Sequence, residues 1–248
     1  MVEVKLGDAY ELIKQVPDHS VDLVYTDIPY FFGEGSGIMK SKLATESRIK
    51  LYCDVLKPIS KGIDLSILDE FVRVCKKVHC YIWCSKLQIF PILKYFVERG
   101  CMYDILCWCK RNVTPFANNT YLPQIEYCLL VREEGTNINH CNEPNCKRKY
   151  WESGTNVADK SKYLHPTIKP LPFVEMHIKN STEPGDLVLD PFCGSGTTLV
   201  AAKRAGRNAL GFEIEEKYYK IAKDRINGWD QNGQANLFDM EDCDNERQ

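Results

Sequence analysis

Two groups of residues have the chemistry for group transfer. Asp27, Pro29 and Tyr30 close an apolar run that begins at Val21. A carboxylate there would accept a hydrogen bond from an amine, the proline would stiffen the turn and leave its carbonyl available, and the ring would stack on a flat base, a contact worth roughly 1–3 kcal/mol. The second group follows the apolar stretch Leu187–Asp190 and reads Pro191-Phe192-Cys193-Gly194-Ser195-Gly196-Thr197-Thr198. Gly194 and Gly196 let the backbone turn tightly beside a ligand, and a helix opening at Thr197 offers free amides to a carboxylate. No lysine stands where a phosphate-binding loop needs one, and the three-glycine dinucleotide pattern is absent. An amino-acid-bearing nucleoside suits this loop better than a phosphate does. Glu213, ending the next apolar stretch about 20 residues on, is placed to hold ribose hydroxyls.

Alternating strands and helices must position these groups. Strands are predicted at Val4–Leu6, Val21–Asp27, Val78–Cys84, Met102–Cys109, Ile125–Val131, Leu187–Asp190 and Ala209–Ile214. Helices are predicted over Tyr10–Gln15, Leu65–Lys77, residues 86–99, Leu171–Lys179, Thr197–Ala205 and Glu216–Ile226. The expected fold is α/β: one Rossmann-like domain over residues 1–229 with a mainly parallel seven-stranded sheet covered on both faces and an antiparallel hairpin at its edge. Residues 31–63, rich in glycine and lysine, read as a mobile insertion, and 133–164 as a second surface insertion. Residues 230–248 read as an acidic, disordered tail.

The 248 residues suffice for one large domain with a substantial core. No apolar run approaches the roughly 20 residues of a membrane helix, so the expected location is the cytoplasm, with no membrane partner. Twelve cysteines scattered through the predicted elements read as free thiols. His140, Cys141 and Cys146 lack a fourth ligand and the spacing of a zinc knuckle, and no metal is expected. The net charge of -2 conceals a tail of six acids and one arginine. Residues 40–61 and 145–170 each hold six basic and two acidic side chains, which favours a phosphate-bearing partner over what the total suggests.

Three stretches carry a resemblance: Asp27-Ile28-Pro29-Tyr30, His165-Pro166-Thr167-Ile168-Lys169-Pro170, and Gly185 through Thr198. Together they are similar to the amino-methyltransferases of DNA, and the order, catalytic loop first and cofactor loop last, resembles the β class. Gly7-Asp8, Arg73–Lys76, Trp108-Cys109-Lys110 and Glu126–Leu130 extend the resemblance over about residues 6–226. It implies S-adenosylmethionine as cofactor, double-stranded DNA as partner, and transfer of a methyl group to the exocyclic amine of a flipped base. By position, Asp8 would reach the cofactor's adenine and Glu213 its ribose. Asp190, Phe192, Gly194, Ser195, Gly196 and Thr197, with Asp27 alongside, would line its methionine part, and Thr167 and Lys169 would serve its carboxylate. Asp27, the Pro29 carbonyl and Tyr30 would hold the target base. A homodimer and a restriction endonuclease partner are compatible with the resemblance.

Ile28 stands where the family's loop usually has proline. Asp at the first loop position favours adenine N6 as the target, with cytosine N4 the alternative. Methylation of RNA or of a protein amide is a rival reading, and a catalytically idle cofactor- and DNA-binding protein is another. The region between Leu130 and His165 is short for target recognition, which leaves base readout to be shared with residues 31–63 or a second subunit.

Overall fold

The computed structural model describes residues 1–31, 62–113, 121–138, 146–156, 163 and 168–228. Its strands are β1 (Val2–Leu6), β2 (Leu23–Asp27), β3 (His79–Cys84), β4 (Met102–Lys110), β5 (Ile125–Arg132), β6 (Tyr150–Ser153), β7 (Leu187–Asp190) and β8 (Asn208–Glu213). Its helices are α1 (Ala9–Leu12), α2 (Ile67–Val74), α3 (Ile89–Val97), α4 (Leu171–Ser181), α5 (Thr197–Arg204) and α6 (Glu216–Ile226).

The strands form one sheet in the order β1-β8-β7-β2-β3-β5-β4-β6. Every adjacent pair is parallel except the two made by β5, which runs against β3 and β4. The expected parallel sheet with an antiparallel hairpin is therefore present, with eight strands rather than seven. The additional strand, β6, pairs with β4 along Cys107–Lys110 and covers the hairpin's outer side. It lies inside the stretch 133–164, expected to be a surface insertion.

Side chains alternate across the strands, so each strand feeds two cores. On one face Val24, Cys80, Ile82, Leu129 and Leu189 pack with Ile13, Phe71, Val74, Ile92 and Phe96 from the α1, α2 and α3 side. On the other, Leu23, Tyr25, Tyr81, Trp83 and Leu130 pack with Phe173, Ile178, Leu199 and Ala202 from α4 and α5. Burial on both faces explains why β3 is buried at all six positions and reads as a continuous apolar run rather than an alternating one.

A parallel sheet places its strand C-termini along one edge. In order along it come Asp8 just past β1, Glu213 ending β8, the Asp190–Thr197 turn after β7, Asp27–Tyr30 after β2, and Ser85–Gln88 after β3. Because β5 is reversed, it contributes its first residues, Ile125 and Glu126, to that same edge. Among the described residues no helix is long and apolar enough to cross a membrane. Eight described cysteines are free thiols, whereas Cys146 is disulfide-bonded, a departure from the expectation that all twelve would be free.

Candidate active site

Asp27 is the last residue of β2, and its neighbours come from three distant parts of the chain. Lys169 Nζ lies 2.5 Å from Asp27 Oδ2, 3.0 Å from Glu126 Oε2 and 3.3 Å from the Tyr30 hydroxyl. Lys110 closes the group with an ion pair to Glu126 Oε1. Two carboxylates and two ammonium groups thus balance in a site where the Lys169 side chain is only 5% exposed. Burial pushes the Glu126 carboxyl up, but Lys169 and Lys110 outweigh it and hold the group at about 2. Burial pulls the Lys169 ammonium down, and Asp27 and Glu126 more than restore it, leaving it raised. For Asp27 burial wins over Lys169, and its carboxyl titrates above the ordinary range. A carboxylate made more basic in this way is a better hydrogen-bond acceptor.

The two Asp27 oxygens differ. Oδ2 faces Lys169, whereas Oδ1 is buried and has no hydrogen-bond partner among the described residues. An unmatched buried acceptor is costly unless a ligand supplies the donor. Tyr30, half-buried, presents its ring within 5.4 Å of the Lys169 ammonium and its hydroxyl 3.4 Å from Glu126 Oε2.

The turn between them is held from below. Ile28 is 1% exposed and donates its amide to Trp83 O at 3.2 Å, a bond that proline in its place could not form. The Pro29 carbonyl accepts Gln88 Nε2 at 3.0 Å, which occupies one of its two lone pairs.

The glycine turn follows β7 directly. Gly194 and Gly196 both have positive φ, 52° and 80°, and a Cβ at Gly196 would lie 2.9 Å from Ala222 Cβ on α6. Arg225, also on α6 and 5% exposed, donates to Ser195 O at 2.7 Å, to Ser195 Oγ at 3.0 Å and to Thr197 Oγ1 at 3.2 Å. Asp190 turns back to accept the Phe192 amide at 3.2 Å, and burial raises its carboxyl to about 7. Glu213 accepts the Glu215 amide on Oε1 at 2.7 Å and is likewise raised by burial. Phe192 meets Tyr10 edge-on, with ring centroids 6.4 Å apart. Asp8 caps α1 by accepting the Tyr10 amide at 2.7 Å, and Gly7 beside it donates to Glu213 O at 2.8 Å.

Asp27, Pro29, Tyr30 and Lys169 therefore meet in one cluster, and Asp8, Asp190, Phe192, Gly194–Thr197 and Glu213 line the adjoining strand ends. Lys169, expected to serve a cofactor carboxylate, directs its ammonium to Asp27, Glu126 and Tyr30. Thr167, His165, His140 and Cys141, most of 31–63 and the tail 230–248 lie outside the described residues. Glu126 and Lys110 were visible only as parts of family-like stretches. Gln88, Ser85 and Arg225 carried no sequence signal, because each acts on a segment remote in the chain.

A Rossmann-like sheet with its glycine turn last and its acid-proline-tyrosine loop first, both on one edge, defines a permuted group-transfer fold. The profile of the DNA methylase family matches residues 21–224, and the chain belongs to that family. It is similar to the type II methyltransferase M2.LlaDCHI of Lactococcus lactis subsp. cremoris, 29% identical over 89% of this chain and 87% of that protein. It is also similar to the type II methyltransferase M.HinfI of Haemophilus influenzae, 27% identical over 89% of this chain and 67% of that one. Among solved structures, the M1.HpyAVI–SAM complex superposes with a TM-score of 0.67 at 28% identity, covering 92% of this chain and all of that one. The cytosine-N4-specific PvuII DNA methyltransferase shares the fold, with a TM-score of 0.66 at 19% identity, over 89% of this chain and 84% of that one.

Proposed function

We propose that the protein transfers a methyl group from S-adenosylmethionine to the exocyclic amine of a base flipped out of double-stranded DNA, and that the base is adenine. The observation that carries this reading is Asp27 Oδ1, a buried acceptor with no hydrogen-bond partner among the described residues, at the strand end next to the glycine turn. Family membership, the type II relatives and the superposition on a SAM complex support DNA amino-methylation within restriction-modification.

The residues present fit the cofactor. Glu213 ends β8 and accepts the Glu215 amide on Oε1, and an acid at the end of the strand after the glycine turn supports a ribose-holding role. The Phe192–Tyr10 pair offers an apolar wall, and the opening of α5 at Thr197 offers amides and positive dipole to a carboxylate. When bound, the cofactor supplies an electrophilic methyl on a sulfonium.

This chain's task is to make a weak amine nucleophilic. The lone pair of an exocyclic amine is drawn into the ring. Accepting one of its N–H groups on Asp27 Oδ1, and the other on the turn's backbone, returns density to nitrogen and fixes its direction. Lys169 holds the opposite oxygen, so the carboxylate cannot swing to meet the amine by a different edge. Tyr30 stacks on the base and replaces part of the stacking lost on flipping. Asp in the first loop position supports adenine, and cytosine N4 is the second reading.

Incubation with methyl-labelled cofactor and unmethylated DNA, followed by digestion to nucleosides, tests both levels. Label in N6-methyladenine is expected. Label in N4-methylcytosine would overturn the choice of base, and label in RNA or protein alone, or none despite cofactor binding, would overturn the reaction.

A further inference from the structure

The loop that carries Asp27 and Tyr30 is fastened at its far end by side chains that no motif identifies. Gln88 is 6% exposed and stands at the N-cap of α3, yet its side chain makes no capping bond to the helix. It reaches instead to the loop. Its Nε2 donates to Pro29 O at 3.0 Å, and its Oε1 accepts the Phe31 amide at 3.1 Å and the Ser85 amide at 3.0 Å. Ser85, 8% exposed, donates its hydroxyl to Phe31 O at 2.6 Å. Both polar groups of the Phe31 backbone and the carbonyl of Pro29 are thereby gripped by one turn after β3.

We propose that Gln88 and Ser85 are positioning residues that lock the catalytic loop, supplying the rigidity that proline at position 28 would otherwise give. The inference rests on the reading of Asp27–Tyr30 as the catalytic loop. Proline stiffens a turn by fixing its own φ and removing a donor. Ile28 has a free φ in the unfolded chain and keeps its donor, which it uses on Trp83 O. Restraint must then come from outside the loop, and three hydrogen bonds from Gln88 and Ser85 provide it on the two residues flanking Tyr30, while the Ser85 amide holds Gln88 Oε1 in place. The geometry matters because a misplacement of about 1 Å at a reacting group costs on the order of a hundredfold in rate.

The test uses the protein, labelled S-adenosylmethionine and unmethylated DNA, with Gln88→Met, which keeps side-chain volume and removes its bonds to Pro29, Phe31 and Ser85. The expected result is a fall in kcat of at least about tenfold, with KM for the cofactor within about twofold of wild type. Amide exchange at Phe31 should accelerate while Tyr81–Cys84 remain protected. Gln88→Glu, which keeps the acceptor and loses the donor to Pro29, should also lose kcat. Unchanged Phe31 exchange, unchanged kcat, or a fall in kcat that merely tracks a general loss of protection would overturn the proposal. Asp27→Ala runs alongside. If it is inactive while Gln88→Met is fully active, the clamp fails and the catalytic loop stands; if it is fully active, the loop reading fails, and exchange at Phe31 still decides whether Gln88 locks the turn.

Discussion

Asp27 and Lys169 are 142 residues apart in the chain and 2.5 Å apart in the fold. The ion pair joins the end of β2 to the segment that leads into α4, and Asp27 Oδ1 is left without a hydrogen-bond partner among the described residues. Asp27→Ala should lower methyl transfer at least about a hundredfold, the scale of losing one well-placed hydrogen-bonding group. Cofactor binding, measured by calorimetry, should stay within a few fold. Normal turnover would remove Asp27 from the chemistry.

Glu126 has two ammonium partners and a side chain only 15% exposed. Glu126→Gln leaves Lys169 with Asp27 alone and takes from Lys110 its carboxylate partner, and breaking a buried ion pair from one side costs about 3–5 kcal/mol. Denaturant unfolding should show a loss of that size. A change under about 1 kcal/mol would mean that the cluster is as well screened as a surface pair.

Gly196→Ala places a methyl 2.9 Å from Ala222 Cβ on a backbone with φ 80°. The left-handed conformation alone costs about 1–2 kcal/mol for a non-glycine residue, before any displacement of α6. Stability should fall by about 2 kcal/mol or more, and cofactor affinity by more than about tenfold because the turn itself must move. Retention of full affinity would show that the turn does not contact the cofactor.

His177 lies between Tyr81 and Phe173, with ring centroids 4.7 Å and 4.3 Å away, and its Nε2 has no hydrogen-bond partner among the described residues. Burial lowers it from 6.5 to about 3. The folded state therefore stays neutral while the unfolded chain takes up a proton, and stability falls as pH drops from 6.5 towards 3. Asp190, raised from 3.8 to about 7, acts with the opposite sign, gaining stability as pH falls from 7 towards 4. The two offset one another in wild type over the shared window. The difference in unfolding free energy between wild type and His177→Phe isolates the first, and it should shrink by about 1.4 kcal/mol per pH unit below 6.5. A difference independent of pH would refute the assignment.

Much of the sheet was legible because period and length reveal buried strands, and Cys80–Cys84 is apolar and aromatic throughout. Tyr150–Ser153 was not. It has four residues, pairs on one side only, and alternates between half-buried and exposed positions, which leaves no apolar run to read. The cofactor turn was legible because its glycines answer a local backbone demand. The cluster around Asp27 was only half legible, since Glu126 reaches the catalytic edge through the reversal of β5, and strand direction is not written in composition. Ile28 was the most misleading residue. Read as a missing proline it suggests a looser turn, but its burial and its bond to Trp83 O show that the turn is tied to β3 instead.

The contact of Gly62 with Phe31 has a consequence for how this protein can change. A Cβ on Gly62 would lie 3.1 Å from Phe31 Cβ and 3.7 Å from Gln88 Nε2, so Phe31 and Gly62 meet at a single point beside Gln88. Whatever joins Phe31 to Gly62 spans no gap, and doubling its length would cost only about 0.6 kcal/mol in closure entropy. The junction is a socket: segments of different length and sequence can be exchanged there while the sheet keeps its register and Gln88 keeps its hold on the rim.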